Sequence, residues 1–332
     1  MKITFFSTKP YDKLFFNKYN KDFGFELEYY ETHLGPHIVN AIDQTDAVCV
    51  FVNDKVNAEV IKVLATKSVK TIALRCAGFN NVDLEAAKAN GINVCRVPAY
   101  SPEAVAEHAV AMILTLNRKT HKAYNRVREQ NFSLNGLLGF NLFEKTVGVI
   151  GTGNIGHAFC KIMLGFGCKV LAFDLIANKE LESLGVSYLP ITEILPQADI
   201  ISLHCPLTEQ THHLIDTETI SMLKKGMMLI NTSRGGLIDT NAIIKALKSQ
   251  QIAYLGIDVY EQEEKLFFRD LSSNIIEDDT IQRLMSFPNV LVTAHQAFFT
   301  EEALSKIATV TLQNVDELLN NKILTNKAAL LA

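Results

Sequence analysis

Short, nearly continuous apolar segments alternate along the chain with longer segments of helical periodicity. Ten of them are predicted as strands, at residues 2–7, 47–52, 71–76, 92–97, 146–151, 169–174, 199–204, 227–232, 254–260 and 289–295. Several are runs of Val, Ile and Leu without polar alternation, which is typical of parallel strands covered on both faces. With helical segments between the strands, the pattern predicts an α/β protein with right-handed crossovers.

Three helices have predicted starts or faces. Ser101, Pro102 and Glu103 form a favourable helix start, and the periodicity carries this helix to about Asn117. A long amphipathic helix is predicted to begin at Thr300. The segment after residue 151 places apolar residues at three- and four-residue spacing: Ile155, Phe159, Ile162, Met163 and Phe166. We interpret these apolar faces as core packing.

The composition is that of a globular protein and disfavours some classes of binding partner. The 332 residues suggest about two domains, and 48% hydrophobic with 20% charged residues can bury a sizeable core. The net charge of −4 disfavours nucleic acid or an anionic membrane as the main partner. No apolar run of about 18 residues is present, so no membrane span is expected, and the opening MKITFFSTKP lacks the apolar region of a signal peptide.

The cysteines and histidines indicate neither disulfides nor a metal site. The six cysteines are scattered without a CxxC pair, which is typical of reduced thiols in a cytoplasmic protein. His33 and His37 have the spacing of helical metal ligands, but Gly35 and Pro36 break the helix that such a pair needs. No metal is therefore predicted.

A basic segment follows the first predicted long helix. Its charged residues are Arg118, Lys119, His121, Lys122, Arg126 and Arg128. We favour a solvated helix face as the interpretation. An anion or allosteric site at a subunit interface is the alternative.

A glycine-rich motif carries the first functional signal. Residues 151–156 read GTGNIG, directly follow a predicted strand and open a predicted helix, and the next strand ends at Asp174, 18 residues past Gly156. This is the full context of a dinucleotide-binding fingerprint. Gly151 makes the tight turn, Gly153 allows a pyrophosphate to approach the helix N-terminus, and Gly156 allows close helix packing.

The acid at the end of the next strand favours one dinucleotide over the other. Asp174 can accept hydrogen bonds from the ribose hydroxyls and would repel a 2′-phosphate. The three residues after it, Leu-Ile-Ala, supply no Arg for such a phosphate. The predicted cofactor is therefore NAD.

Three polar side chains follow the ends of later strands. Arg234 and Glu263 come just after the segments 227–232 and 254–260, and His295 closes the segment 289–295, at strand ends where ligands bind in open parallel sheets. Reduction of a 2-keto acid needs a bidentate cation for the carboxylate, a proton donor with a pKa near neutrality, and an acid to orient that donor. Spacing alone leaves Glu261, Glu263 and Glu264 open as the acid.

Taken together, these motifs resemble the D-isomer-specific 2-hydroxyacid dehydrogenases over nearly the whole chain. The resemblance rests on GTGNIG, Asp174, HCPLT, NTSRGG, GIDVYEQE and TAHQAF. The segments 74–110, 202–208, 258–270 and 295–304, and the long connection 265–288, are similar to those of bacterial fermentative D-lactate dehydrogenases. One departure is Ala294, where many members have Pro before the catalytic His.

The resemblance implies roles for the polar residues. Arg234 would bind the substrate carboxylate, and the family motif selects Glu263 as the partner of the acid/base His295. Implied cofactor-binding residues are Gly151, Gly153, Asn154, Ile155, Gly156, Asp174, Cys205, Pro206, Thr211, Thr232, Ser233 and Asp258, the last near the nicotinamide. Implied substrate-binding residues besides Arg234 are Ala77 and Gly78, through their backbone N–H groups, with Tyr100, Phe51 and Phe298. Simple core burial remains the alternative for Phe51 and Phe298.

The resemblance also implies the architecture and the reaction. It implies two Rossmann-like or flavodoxin-like domains, with a doubly wound NAD-binding domain (101–298) inserted into a smaller discontinuous substrate domain (1–100 and 299–332). The implied reaction is NADH-dependent reduction of pyruvate to D-lactate by a cytoplasmic homodimer or homotetramer. The alternatives are a dehydrogenase for a bulkier 2-keto acid, such as the one that gives D-2-hydroxyisocaproate, and an NAD-sensing corepressor-like binding protein.

Overall fold

The structure, a computed structural model, describes residues 1–332 apart from the side chain of Lys265. The chain divides into two compact units. The first unit is Met1–Ser101 together with Phe299–Ala332, and the second unit is Pro102–Phe298. In the part of the chain that is described, no helix combines the length and the apolar character needed to cross a bilayer.

Strands and helices alternate along the chain. The strands are β1 (Lys2–Phe5), β2 (Glu26–Tyr29), β3 (Ala47–Val50), β4 (Thr71–Leu74), β5 (Asn93–Arg96), β6 (Thr146–Ile150), β7 (Lys169–Phe173), β8 (Ser187–Tyr188), β9 (Ile200–Leu203), β10 (Met227–Asn231), β11 (Ile252–Ile257) and β12 (Val290–Val292). The α-helices are α1 (Pro10–Tyr19), α2 (Ala58–Thr66), α3 (Leu84–Ala89), α4 (Pro102–Arg118), α5 (Thr120–Arg128), α6 (Asn154–Gly165), α7 (Lys179–Ser183), α8 (Ile191–Ile194), α9 (Thr217–Met222), α10 (Thr240–Lys248), α11 (Asp279–Met285) and α12 (Glu301–Leu319).

The first unit is built on a five-stranded parallel sheet. Its strand order is β2-β1-β3-β4-β5, and every pair of neighbours is parallel. The central strands β3 and β4 are buried throughout, as their almost wholly apolar sequences require. After α12, the chain returns to β5, where the Leu331 N–H donates to the Val94 carbonyl at 2.8 Å.

The second unit is built on a seven-stranded parallel sheet. Its order is β12-β11-β10-β9-β6-β7-β8. From β6 the chain adds β7 and β8 on one side and then β9 to β12 on the other, so the direction of winding reverses between β6 and β9. The carboxyl ends of strands on either side of such a reversal border a crevice in which ligands bind. The predicted α/β class with doubly wound parallel sheets is confirmed.

Each of the ten predicted strand segments overlaps a strand, but two strands were missed. Both β2 and β8 are sheet edges, and β8 has only two residues. The sequence of β2, Glu-Leu-Glu-Tyr, has charged residues because an edge strand faces solvent. Glu28 in β2 pairs with Lys2 of β1 at 3.0 Å. These edges lack the apolar run that identifies an interior strand.

The predicted helices are confirmed with small differences. α4 begins at Pro102 as expected, and Thr300 caps α12 by accepting the Ala303 N–H at 3.2 Å. Phe166, placed on the apolar face of α6, is instead 38% exposed because α6 has ended at Gly165. The connection 265–288 contains α11. All six cysteines are buried as free thiols, and burial raises the pKa of Cys160 to about 12.

Candidate active site

The glycine motif forms a tight loop that joins β6 to α6 and packs against the turn after β9. Gly151 has a φ of +94°, and a Cβ there would lie 2.6 Å from the Cys205 backbone nitrogen. A Cβ on Gly156 would overlap the Gly151 carbonyl oxygen, so α6 can pack this closely on the loop only with glycine. Around the Cβ position of Gly153, by contrast, no atom lies within 4 Å. Two glycines therefore shape the loop, and the third leaves space beside the helix N-terminus.

That N-terminus and the next strand match the needs of a dinucleotide. Gly153 caps α6, and both it and Asn154 are exposed. At the end of β7, Asp174 accepts the Thr152 backbone N–H at 2.6 Å and the Leu175 N–H at 2.7 Å, so its carboxylate is fixed beside the loop. Free N–H groups at the start of a helix favour a pyrophosphate, and the fixed acid favours a ribose.

The ends of β9 and β10 border the same crevice. Ser233 donates to the Cys205 carbonyl at 2.7 Å, which joins the two turns, and Thr211 donates to the Pro206 carbonyl at 2.7 Å. The hydroxyl of Thr232 is buried and has no hydrogen-bond partner among the described residues. An orphaned buried hydroxyl is costly unless a ligand satisfies it. These residues thus fit the bound cofactor that the sequence predicts.

Arg234 lies in a turn that hydrogen bonds hold rigid. The Asn231 side-chain amide donates to the Arg234 carbonyl at 2.8 Å and its oxygen accepts the Ser233 N–H at 3.0 Å. A Cβ on Gly235 would overlap the backbone of Tyr260, so this turn packs directly on the segment that leads to Glu263. The guanidinium donates to the Ser233 carbonyl, and no carboxylate of the described residues lies within 4 Å of it.

Glu263 and His295 form a hydrogen-bonded pair. Glu263 Oε1 lies 2.8 Å from His295 Nδ1, and Glu263 Oε2 accepts the Tyr260 backbone N–H at 2.9 Å. The backbone bond fixes the carboxylate, which in turn fixes the imidazole. A histidine with Nδ1 engaged in this way presents Nε2 for proton exchange.

The neighbouring acids have other surroundings. Glu261 accepts the backbone N–H and the hydroxyl of Thr240 and lies 2.7 Å from His213 Nε2. Glu264 is exposed. Of the three acids that spacing left open, Glu263 is therefore the one that the turn brings to His295.

Asp258 organises the backbone around His295. The His295 N–H donates to the Asp258 carbonyl at 2.7 Å, and His295 has a left-handed φ of +52°. The buried Asp258 carboxylate accepts the N–H groups of Gln296 and Ala297, both at 2.9 Å, and the Thr293 hydroxyl at 2.5 Å. One carboxylate thus holds the turn that orients the imidazole.

His108, which the sequence did not single out, completes this network. It lies in α4, with Nε2 3.1 Å from the Thr293 hydroxyl and 3.5 Å from Asp258 Oδ1. Burial acts to raise the pKa of Asp258, but hydrogen bonds from His108, Thr293 and the backbone outweigh it and hold the pKa below its usual range. The only sequence signal was a polar residue within the apolar helix α4.

The predicted substrate residues of the first unit lie at the ends of β3 to β5. In the turn after β4, Arg96 donates to the Ala77 carbonyl at 2.9 Å, and Cys76 donates to the Gly78 carbonyl at 3.2 Å. The carbonyls of this turn are therefore held within the first unit. Tyr100 is half-buried.

Phe51 is held from three sides in the first unit. Its backbone N–H donates to the buried Asp54 at 2.6 Å, its carbonyl accepts the Asn81 amide at 2.9 Å, and the Arg75 guanidinium stacks over its ring at 4.9 Å. Its side chain is half-buried, which leaves part of the ring available for contact. Phe298, at the end of the second unit, is 7% exposed.

Comparison with known proteins identifies the family of this chain. Residues 110–297 match the family model for the NAD-binding domain of D-isomer specific 2-hydroxyacid dehydrogenases. The chain is 55% identical over 318 residues to 2-hydroxyacid dehydrogenase homolog 1 of Schizosaccharomyces pombe, covering 96% of each chain. It is also similar to the apo-structure of D-lactate dehydrogenase from Escherichia coli, with 48% identity, a TM-score of 0.90 and coverage of 98% and 99%.

A ligand-bound relative adds the cofactor. D-lactate dehydrogenase from Aquifex aeolicus, solved with NAD and lactic acid, is 36% identical, with a TM-score of 0.87 and coverage of 99% of this chain and 98% of that one. The predicted NAD cofactor is supported by this structure and by the family model. The chain belongs to the D-isomer specific 2-hydroxyacid dehydrogenase family and is an NAD-dependent oxidoreductase.

Proposed function

We propose that this protein reduces pyruvate to D-lactate with NADH. The observation that carries the proposal is the pair of His295 and Glu263, 2.8 Å apart, with the segment that leads to Glu263 packed against the turn of Arg234. An oriented imidazole and a guanidinium without a carboxylate partner are the two groups that reduction of a 2-keto acid needs. The names of two similar proteins, the D-lactate dehydrogenases of Escherichia coli and Aquifex aeolicus, favour lactate as the product.

His295 moves the proton in this proposal. Its Nδ1 faces Glu263, so Nε2 donates a proton to the oxygen of the keto group as that oxygen gains negative charge, and accepts one in the reverse direction. Glu263 keeps the ring oriented and stabilises its positive charge. The bound NADH supplies the hydride.

Arg234 orients the substrate. Its planar guanidinium forms two parallel hydrogen bonds to the carboxylate. The backbone N–H groups of Ala77 and Gly78 bind the other side of that carboxylate, and Tyr100 and Phe298 line the pocket. Phe51 limits the substrate side chain to about the size of a methyl group.

We propose the following holders for the cofactor. The N-terminus of α6 after Gly153, with Asn154 and Ile155, binds the pyrophosphate, and Asp174 binds the adenine-side ribose. Thr232, whose buried hydroxyl has no partner among the described residues, contacts the cofactor together with Asp258 at the nicotinamide end. The remaining contacts come from the loop after β9 and its neighbour: Cys205, Pro206, Thr211 and Ser233.

The two units take different roles. The second unit, which contains the matched NAD-binding domain, binds the cofactor, and the first unit supplies the rest of the substrate site. We further propose a homodimer or homotetramer that acts in the cytoplasm.

The decisive experiment is NADH oxidation with a panel of 2-keto acids, followed by chiral analysis of the product. We expect pyruvate to give the highest kcat/KM and D-lactate as the product. Preference for 2-ketoisocaproate would identify a dehydrogenase for bulkier acids. Tight NADH binding without turnover of any acid would indicate an NAD-sensing protein, and L-lactate would refute the assigned stereochemistry.

A further inference from the structure

A cavity lies in the second unit, at the amino ends of β11 and β12. Its volume is about 710 Å³. Its lining includes Ala253 and Tyr254 in β11 and the residues 288–290, which lead into β12. Asp258 and His295 follow the carboxyl ends of these same two strands. Because β11 and β12 are parallel, their amino ends and carboxyl ends lie at different edges of the sheet. The cavity is therefore distinct from the proposed active site.

Basic side chains line the cavity. Its basic lining residues are Lys119, His121, Lys122, Arg126, Lys225 and Lys248. Among the lining residues that the structure describes, there is no Asp or Glu. None of these lysines, nor Arg126, has a carboxylate of the described side chains within 4 Å. This local charge contrasts with the chain as a whole, whose net charge is −4.

Hydrogen bonds to backbone carbonyls hold three of the lining cations, Lys119, Lys122 and Arg126, in place. Lys119 Nζ donates to the carbonyls of Gly136 at 2.8 Å and Leu138 at 3.1 Å. Lys122 Nζ donates to the carbonyl of Pro288, and Arg126 donates to two further carbonyls of the segment after α5. Carbonyls orient these cations without neutralising them. An incoming anion would therefore find them already ordered.

Two more of the lining lysines, Lys225 and Lys248, lie at a corner that hydrogen bonds hold together. The Gly226 N–H donates to the Gln251 carbonyl at 2.9 Å, and the Gln251 side chain donates to the Leu223 carbonyl at 2.6 Å. These bonds join the turn that holds Lys225 to the end of α10, which holds Lys248. Both lysine residues are exposed, so they can reach a ligand without breaking an internal contact.

The pKa of His121 reflects the positive charge around it. Partial burial, followed by repulsion from Lys122, holds the pKa of His121 below its usual range. A neighbouring anion would reverse the electrostatic part of this effect and raise the pKa.

From the cavity and its cationic walls, we propose that the second unit binds a small multivalent anion here, one that carries at least two carboxylate or phosphate groups. Lining cations from two separate segments of the chain, 119–126 and 225–248, favour a ligand with two separated charges over a single carboxylate such as pyruvate. A cavity of this volume suits a small molecule. The proposal concerns binding at this site and does not depend on the substrate assigned above.

Isothermal titration calorimetry tests the proposal, with citrate as the carboxylate probe and inorganic pyrophosphate as the phosphate probe. Titrations use the full protein saturated with NADH at low ionic strength, so that the dinucleotide site is filled. The test variant is the double change Lys225→Gln and Lys248→Gln. The matched control is Lys62→Gln with Lys88→Gln, which removes the same charge from exposed lysines of the first unit.

We expect at least one probe to bind the wild-type protein and the control, and to bind the test variant about tenfold or more weakly. Which probe binds identifies the anionic group. The proposal is overturned if neither probe binds at millimolar concentration, or if both double variants weaken binding equally. Unchanged affinity in the test variant also overturns it, because the probe then binds elsewhere, for example at Arg234.

A second readout follows the site itself. NMR titration of the His121 ring should give a higher pKa when the bound probe is present, while the kcat of the test variant without the probe stays at the wild-type value. An unchanged His121 pKa at saturating probe would show that the anion does not occupy this cavity. Light scattering on each variant checks that the oligomeric state is unaltered, so that altered assembly is not mistaken for lost binding.

Discussion

Glu263 Oε1 lies 2.8 Å from His295 Nδ1, while the second oxygen of the same carboxylate is held by the Tyr260 backbone N–H. The acid is thus fixed by its own turn and can fix the imidazole. Removing its charge should affect turnover more than folding. We expect Glu263→Gln to lower kcat by about 10-fold to 100-fold, because an amide stabilises the protonated ring poorly.

The exposed Glu264 provides the matched control for this change. Glu264→Gln makes the same chemical replacement one residue away and should leave kcat within about twofold of the wild type. Steady-state kinetics with pyruvate and NADH measure both variants. Equal losses in the two would show that general charge near the site, rather than the pair, supports turnover.

His295 itself should be essential for turnover and dispensable for binding the cofactor. We expect His295→Gln to reduce kcat by about 10²–10⁴, because the proton donor is lost. The Kd for NADH, measured by fluorescence, should stay close to the wild-type value. Turnover near the wild-type rate would exclude His295 as the acid/base.

Substituting Arg234 should distinguish the effect of its positive charge from the effect of its two parallel hydrogen bonds. Arg234→Lys keeps the positive charge but cannot form two parallel bonds to a carboxylate. We therefore expect the KM for pyruvate to rise by about tenfold or more, with a smaller loss of kcat. An unchanged KM would place the substrate carboxylate elsewhere.

Asp174 should determine the choice between dinucleotides. Without its carboxylate, Asp174→Ala should bind NADH more weakly and lose the repulsion of the 2′-phosphate of NADPH. The ratio of kcat/KM for NADPH to that for NADH should rise by about tenfold. Since structural damage to the loop would lower both values together, an unchanged ratio would contradict the proposed role.

His204 should make stability depend on pH. Its ring packs on Phe159 with centroids 4.8 Å apart, and burial lowers its pKa to about 3. In the unfolded chain, a histidine titrates near pH 6.5. Below that pH the unfolded state binds a proton that the folded state does not, so the free energy of unfolding falls as the pH falls from 6.5 toward 3.

The expected size of this effect is about 1 kcal/mol at pH 5. The full shift would give ~2 kcal/mol, but the residue keeps some solvent access, which reduces the effect. Urea unfolding of His204→Asn at pH 7 and pH 5 should show a smaller loss between the two than the wild type. His37→Gln, a change at an exposed histidine of the first unit, should retain the wild-type loss. Identical losses in all three proteins would rule out His204 as the source.

The sequence predicted the parts of the fold that depend on local pattern. Interior strands such as β3 and β4 are almost wholly apolar, and α4 carries its start signal in Ser101–Glu103. The edge strands β2 and β8 were not predicted, because a strand at the edge of a sheet needs no apolar run. Their positions follow from tertiary pairing, which a local pattern does not contain.

The site residues that directly follow a strand could be predicted from the sequence. Those whose side-chain direction depends on the fold of a turn could not. Arg234 and His295 could be located from the ends of β10 and β12. The direction of each side chain in 261–264 depends on how the turn is folded, so residue spacing could not separate Glu263 from Glu261. His108 approaches Asp258 from 150 residues earlier in the chain, and no local motif joins them.

The division of the first unit has a consequence for how the protein is made. β5 ends at Arg96, but α12, which packs on β4 and β5, begins only at Glu301. During synthesis the amino-terminal segment must wait for the whole second unit to leave the ribosome before α12 can cover β4 and β5. The second unit, contiguous in sequence, can fold in the meantime. The nascent amino-terminal sheet is therefore exposed to chaperones and to misfolding for most of translation.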